Sequence, residues 1–454
     1  MQIRKIFVNG IVYPLMERIK GNKIRAYYKE LKLTEKYDRA QIEALQREKL
    51  KNLLLYCIKN VPAYMHLAYL EPMIKEDPLE ALKSFPVLTK KDFSKEPEKY
   101  LSLNVDKSSL IHYTTGGSTG LPVKFYVDRP TLEHYAAARL RGLSWWGIEI
   151  GDPCVMIWAS PIELNRYQNK LYRLKERLLR NIILFSAYDL QPAKIADLVK
   201  IVDSYKPVYF YGYASALYVF ANLMEKQNLT FATRFKGVVS TAETLSDEQR
   251  KVIERAFGAP VINEYGAKDG GIIAYQCPDG NMHVTEENLV LEVLDIKTNA
   301  RVEDGQSGLA TITDLTNYSM PRIRYQLGDV ITLSNKKGCP CGRQLKILER
   351  IEGREDDVFV SQSGRLIHGI YWAHIVRNMN GIQQFQLIQH DLNNVTLRIV
   401  PNPSLFDPKE VNNLVKRIYE ALGNVNVQIE YCDEIKPSAS GKIRYSIRNF
   451  PLNL

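Results

Sequence analysis

Apolar positions along the chain change period several times, and those changes lay out its elements. From Thr34 to Asn60, Ile42, Leu45, Leu50, Leu53, Leu54 and Cys57 recur at helical spacing. That pattern predicts a packing helix with a solvated basic face, and Pro62 marks its end region. Thr131 to Leu143 and Pro192 to Ser204 also read as helices. Short apolar runs stand between them. Leu110 to Tyr113, Val123 to Val127, Cys154 to Trp158, Ile182 to Phe185 and the stretches beginning at Val208, Phe235 and Val261 read as strands. A helix starts near Ser215, and Ser246 with Gln249 fits a capping box that opens a helix through Ala256. Thr89, after Phe85-Pro86-Val87-Leu88, is a candidate helix cap. Alternating strands and helices of this kind predict an α/β layer structure.

Two departures from that alternation predict further parts. Leu289 to Leu294 and Ala310 to Thr313 read as strands of an antiparallel subdomain, ended by Pro321 to Asp329. Farther on, Tyr371 to Met379 reads as a helix, and Phe385 to Gln389 pairs with Val395 to Val400 across the Asp391-Leu392-Asn393-Asn394 turn. Pro408 to Leu422 is helical with Val411, Leu414, Val415 and Ile418 on one face, and Val425 to Tyr431 is the final strand. This tail reads as a small α+β domain. At 454 residues the chain has room for a large core and such a second domain.

Charge adds one feature. The 61 basic and 51 acidic residues give a formal +10, with much of the excess near the N-terminus and in Lys170 to Arg180. Such an excess attracts ATP or a phospholipid surface, or it belongs to lysines on solvated helices. No nucleic-acid-binding motif accompanies it. Gln2 to Arg25 mixes Ile, Val, Leu and Met with Arg4, Lys5, Arg18, Lys20 and Lys23. It reads either as an interfacial helix that touches a membrane peripherally or as a helix docked on the main domain. No apolar run is long enough to span a bilayer. Ile6 to Met16 is short and leads into Glu17-Arg18 without a small-residue cleavage site, so a cytoplasmic location is expected. Six sparse cysteines fit a reducing compartment.

The candidate chemistry centres on Thr114-Thr115-Gly116-Gly117-Ser118-Thr119-Gly120, followed by Leu121-Pro122-Val123-Lys124. Glycines let backbone approach a ligand closely, and hydroxyls with free N–H groups wrap an anion. By itself the stretch is either an anion cradle or an ordinary Gly/Ser-rich hairpin. It is not a Walker A motif, because no Gly-Lys-Ser/Thr ends it.

Thr114 to Lys124 resembles the phosphate loop of the adenylate-forming enzymes. The nearest resemblance is to the phenylacetate–CoA ligase-like branch, which includes homologues from capsular polysaccharide loci. Later motifs extend the resemblance over nearly the whole chain. Tyr265-Gly266 followed by Asp269 is similar to a family pattern that usually ends in glutamate. Arg324-Tyr325 and Gly328-Asp329 match another, from which Gln326 and Leu327 depart. Gly353-Arg354-Glu355-Asp356-Asp357 resembles the family hinge, and Pro437 to Arg444 its C-terminal lysine loop.

The resemblance implies a large N-terminal adenylate-forming domain over 1–354 and a small mobile lid over 355–454. It implies activation of a small carboxylic acid by ATP through an acyl-AMP, then transfer to CoA, or to an amine in polysaccharide biosynthesis. Thr114, Thr115, Gly116, Gly117, Ser118, Thr119, Gly120, Lys124, Glu243, Tyr265, Gly266, Asp329 and Arg354 are then expected at ATP. Tyr211, Tyr213, Ser215, Ser240 and Ala242 are expected at the acid, where the alternative for the tyrosines is aromatic packing below the sheet. Lys442 is the expected activating lysine and Asp356 the hinge. Asp269 is expected at Mg²⁺, with a water bridging the missing methylene. The departures at Asp269, Gln326 and Leu327 also allow a nucleotide-binding protein with degraded chemistry.

Cys277, His283, Cys339 and Cys341 have the chemistry and number of a tetrahedral site, or are four unrelated reduced side chains. Related chains carry a similar set, which implies a structural Zn²⁺. Cys57, Cys154 and Cys432 are expected at core or strand positions.

Overall fold

The computed structural model describes residues 2–114, 124–158, 169–354, 358–363, 366–367, 370–376, 379, 381–436 and 444–450. The chain divides into two compact units. The first holds 1–292, 311–327 and 334–349; the second holds 293–310, 328–333 and 350–454.

In the first unit, β1 (Ile111–Thr114) and β2 (Lys124–Val127) form an antiparallel hairpin that pairs Thr114 with Lys124. The main sheet contains β3 (Cys154–Trp158), β4 (Ile182–Ser186), β5 (Tyr209–Tyr213), β6 (Gly237–Thr241), β7 (Val261–Ala267), β8 (Gly271–Gln276) and β9 (Met282–Val284). These lie in the order β9-β8-β7-β6-β5-β3-β4. From β4 to β7 every pairing is parallel; β8 and β9 follow antiparallel.

Period two along the strands sorts the side chains onto two faces. Val155, Phe210 and Val238 enter one core with Ile195, Phe220 and Phe257 from the helices Pro192–Tyr205, Ala214–Lys226 and Asp247–Phe257. Their neighbours Tyr211 and Val239 enter the opposite core, with Leu31 from the helix Ile24–Thr34 and Ala137, Leu143 and Trp145 from the helix Arg129–Trp145. The expected α/β layering is thus present.

Local expectations fare unevenly. Thr89 and Ser246 both close capping boxes. The helix read from Thr34 to Asn60 is Arg39–Asn60, which starts under its own Asp38–Gln41 capping box, while Thr34 ends the preceding helix. Gln2–Lys20 is helical with a wide π turn at Val8–Val12, and its Lys5 binds Glu149 and Asp152 at 2.8 and 3.0 Å.

Strands β10 (Leu289–Leu294), β11 (Ser307–Asp314), β12 (Tyr325–Leu333) and β13 (Ile347–Arg354) have residues in both units. Gly328-Asp329 therefore lies inside β12 and does not end the subdomain; the flanking Tyr325 to Leu327 and Val330 to Leu333 continue the extended run. The second unit also contains the short pair β14 (Phe359–Val360) and β15 (Leu366–Ile367). Its sheet has the order β18-β17-β16-β19, from β16 (Ile382–Gln389), β17 (Asn394–Pro401), β18 (Asn426–Tyr431) and β19 (Ser446–Arg448). The helix Pro408–Leu422 buries Val411, Leu414 and Ile418 in this unit's core. β18 is not the last strand: three residues at β19 pair parallel with Leu387 to Gln389, too short a run to show as a period. Cys57 and Cys154 are core residues, whereas Cys432 is half-buried just beyond β18.

Candidate functional site

Parallel strands all end on the same edge of their sheet, and the loops leaving that edge carry the sequence-selected residues. Ligands in open α/β sheets bind at such edges. Tyr211 and Tyr213 are buried on β5; Tyr213 pairs in register with Thr241 at the end of β6, and Gly212 with Ser240. Trp158, at the end of β3, stacks with Tyr211 and packs on Tyr213, with ring centroids 6.0 and 4.6 Å apart. The tyrosines thus pack as an aromatic cluster near the edge where ligands bind in open α/β sheets.

Below this cluster lies a residue the sequence reading passed over. Glu264 on β7 is buried and accepts from Tyr211 Oη at 2.6 Å, Thr241 Oγ1 at 3.1 Å, and Arg139 Nε and Nη2 at 3.0 and 3.1 Å. Tyr211 is thereby fixed by its hydroxyl. Burial pushes its phenol well above the ordinary value, and the Arg139 charge opposes that shift. A carboxylate inside an apolar strand was the available signal, because it demands a cation when buried.

The loop after β6 meets the helix after β5. Glu243 Oε2 accepts the backbone N–H of Ser215 at 2.8 Å, near the N-terminus of Ala214–Lys226. Ala242 is held at φ +67°, a left-handed conformation uncommon for a residue with a Cβ. Backbone strain of this kind clusters at ligand sites. The Oγ of Ser240 is fully buried with no hydrogen-bond partner among the described residues.

Tyr265-Gly266 forms an irregularity in the β7–β8 pairing. A Cβ at Gly266 would stand 3.0 Å from the Gly271 carbonyl oxygen, a tight contact that glycine avoids. Tyr265 is buried. Asp269 is also buried, accepts from Tyr325 Oη at 2.9 Å and lies 3.6 Å from Lys90 Nζ. Burial would raise its pKa, but the charges of Lys90 and Arg322 and the Tyr325 hydrogen bond hold it below the usual carboxylate range. Arg322 binds Asp314 at 3.0 Å and Tyr135 Oη at 2.8 Å, while its Nε and Nη1 have no hydrogen-bond partner among the described residues. Arg324 has a different part: it grips Glu292 through two 3.1 Å contacts and donates to the carbonyls of Lys83 and Phe85. That arginine ties the Phe85–Thr89 segment to β12, where Leu88 bridges Tyr325.

Thr114 and Lys124 are the facing ends of the β1–β2 hairpin. Thr115, Gly116, Gly117, Ser118, Thr119, Gly120, Asp356 and Lys442 lie outside the described residues. In the second unit Asp329 is half-buried within β12, and Arg354 ends β13.

A second cluster lies in the first unit. One ligand atom each from Cys277, His283, Cys339 and Cys341 falls within 4.8 Å of the others. Cys277 and Cys339 sulfurs are 3.8 Å apart, and Cys341 Sγ is 3.2 Å from His283 Nε2. Two Zn–S bonds of about 2.3 Å at a tetrahedral angle put sulfurs about 3.8 Å apart, so the set fits zinc. His283 Nδ1 lies 3.3 Å from the Leu345 carbonyl oxygen; a proton there leaves Nε2 free to ligate. Burial brings His283 down to about 4, the neutral form a metal needs. For Cys339 burial acts upward, yet hydrogen bonds from the Cys341 backbone and from Asn281 (3.1 Å) bring it below the ordinary thiol value. Burial pushes Cys277 up to about 12. Gly342, at φ +83°, turns the chain back so that its N–H reaches the Cys339 carbonyl at 2.9 Å. Four protein donors leave no open coordination position, so a metal here would be structural.

Residues 359–449 match the CapK C-terminal domain. Protein CapK of Staphylococcus aureus is 24% identical over 432 residues, 93% of this chain and 92% of that protein. The phenylacetate-coenzyme A ligase of Thermus thermophilus is 26% identical over 336 residues, 72% of this chain and 73% of the other. Among solved structures, 2-hydroxyisobutyryl-CoA ligase in the postadenylation state with R3-HIB-AMP superposes with a TM-score of 0.71. It is 24% identical, and 91% of each chain is covered. That likeness establishes the fold.

Proposed function

From a chain whose homologues are CapK and the phenylacetate–CoA ligases, and whose fold is that of adenylate-forming acyl-CoA ligases, we propose the following reaction. A carboxylate oxygen of a small acid attacks the α-phosphorus of ATP and pyrophosphate leaves; the CoA sulfur, having lost its proton, then attacks the acyl carbon of the acyl-AMP and AMP leaves. The observation that carries this reading is the C-terminal edge of the parallel sheet. The connections leaving β5, β6 and β7 there hold Ser215 in the first turn of a helix, and Ala242 with Glu243 and Asp269 in loops, beside the aromatic cluster of Tyr211, Tyr213 and Trp158.

Roles follow from the chemistry of each group. Tyr213, Ser215, Ser240 and Ala242 line the acid, and Tyr211 forms the fixed wall behind it. The 114–124 loop wraps the phosphates, with Thr114 and Lys124 at its base. Glu243, Tyr265 and Gly266 border the nucleotide; Asp329 takes the ribose hydroxyls and Arg354 contacts the nucleotide. Lys442 places positive charge on the reacting oxygens as charge builds there. Asp269 would hold the Mg²⁺ that accompanies ATP, directly or through a water, and the ion would neutralise phosphate charge. The functional boundary is proposed between 354 and 355, with Asp356 as hinge. A reducing, cytoplasmic setting fits the thiol ligands of the proposed zinc. Amine transfer in polysaccharide synthesis is the alternative acceptor chemistry.

Exchange of labelled pyrophosphate into ATP, screened over aryl, fatty, hydroxy and amino acids, tests the proposal. One acid class should support exchange, and Lys442→Ala should lower it by roughly two orders of magnitude, the loss typical of one preorganised donor. Tight ATP binding with no exchange for any acid would leave a nucleotide-binding protein in its place.

A further inference from the structure

The helices Gln2–Lys20 and Lys170–Arg180 are separated by 150 residues in the chain, yet the fold packs the Val8–Val12 turn against the Glu176–Arg180 turn. Tyr13, Lys20, Ile24, Tyr172, Lys175 and Arg180 line one cavity of about 300 Å³ between them. Both helices turn large apolar side chains outward. On the first, Phe7, Ile11, Leu15 and Ile19 follow at intervals of four, with Ile19 75% exposed. The second exposes Leu171, Leu174 and Leu178, at i, i+3 and i+7, with Leu171 76% exposed. Residues at these spacings share a helix face.

The same two segments hold most of the chain's net charge. Residues 2–25 contain six basic residues and one acidic, and residues 170–180 contain five and one. Together they carry nine of the ten net positive charges. Lys5 binds Glu149 and Asp152, Arg180 binds Glu176 at 3.1 Å and Arg177 lies over the Tyr205 ring; Arg18, Lys20, Lys23, Lys170, Arg173, Lys175, Arg177 and Arg180 are exposed around the apolar stripe. No helix among the described residues is long and apolar enough to cross a membrane.

We propose that these two helices form a single docking face for an anionic phospholipid surface. The leucines, isoleucines and Phe7 enter the headgroup–acyl boundary while the basic rim meets lipid phosphates. An amphipathic helix with cations on its polar flank binds in this way, lying on a bilayer instead of spanning it. A second protein copy would have to bring an acidic rim to the same stripe, and a self-paired copy brings the basic rim against itself. That repulsion decides for lipid. The assignment is independent of the proposed acid chemistry.

The full-length protein should be floated with vesicles of phosphatidylcholine alone and with added phosphatidylglycerol, at low and high salt. Recovery with the vesicles should rise with phosphatidylglycerol and fall with salt. Leu15→Glu with Leu174→Glu should reduce partitioning roughly tenfold or more, since two apolar anchors are lost. Arg173→Glu with Lys175→Glu should do the same for anionic vesicles only, by about tenfold or more. Pyrophosphate exchange should be retained in both variants. Equal binding to both vesicle types, no binding, or variants that bind like the parent protein would overturn the proposal. So would a doubled mass in solution that reverts to a single chain in the leucine variant, which would assign the face to a second copy. If the leucine variant does not fold, the charge-reversed variant decides alone.

Discussion

Glu264 gathers four hydrogen bonds from three side chains, and none of those side chains is near it in sequence. Asn263-Glu264-Tyr265-Gly266 was legible as a strand leading into a family motif, which drew attention to Tyr265 and away from the carboxylate. Arg139 lies 125 positions earlier on a helix that also offers Arg141, and only the fold selects between them. Tyr211, by contrast, was singled out because its strand and the glycine turn resemble the region that borders the acyl pocket in the family. Glu264→Gln replaces one acceptor oxygen by a donor that faces other donors. The loss should be about 1–3 kcal/mol, the usual cost of a broken buried hydrogen bond to a charged group. Arg139 is half-exposed, so water recovers part of its hydration and favours the lower figure. A thermal melt should show the lowered midpoint. The activating acid should show a raised KM while the KM for ATP changes less, because Tyr211 loses its anchor. Equal changes in both would separate Glu264 from the acid side of the site.

At the scale of elements, those with a long period or a cap were legible, and those defined by distant pairing were not. Pro408–Leu422 follows from its own apolar face and has the expected bounds. β19 is three residues long and exists through its pairing with β16, so no local pattern announces it. The two cysteine-bearing turns fall between these cases. Cys277 with His283, and Cys339 with Cys341, are weak motifs separately; the β9–β13 pairing of His283 with Ile347 brings their turns together. We predict one zinc per chain, measured by elemental analysis of untagged protein. Cys341→Ser should abolish the stoichiometry and lower the thermal midpoint, because binding free energy at a structural site is also folding free energy. Acid preference in the exchange assay should stay the same. A folded, active parent protein with zinc near zero would leave the four side chains as reduced neighbours.

At the scale of the whole molecule, the α/β layering and the separate C-terminal unit were legible because each has its own apolar pattern and core. The path of the chain between the units was less so. β10 to β13 contribute residues to both, through pairing of distant segments that leaves no local period in the sequence. The proposed hinge follows β13, whose last residue is Arg354. If Asp356 is the point about which a lid turns between activation and transfer, its backbone dihedrals must change between the two steps. Proline fixes φ near −65° and removes an N–H, so Asp356→Pro restricts that change while leaving the residues of each unit intact. Pyrophosphate exchange should therefore persist in this variant. Transfer of a pre-formed acyl-AMP to CoA, followed by mass spectrometry of the thioester, should fall by at least about tenfold, equivalent to roughly 1.4 kcal/mol on the barrier. The same products, assayed with amines in place of CoA, report the acceptor. An amide formed without CoA would change the acceptor and keep the activation step. Equal loss of exchange and transfer in Asp356→Pro would mean that this position supports both steps alike, and the hinge would have to lie elsewhere.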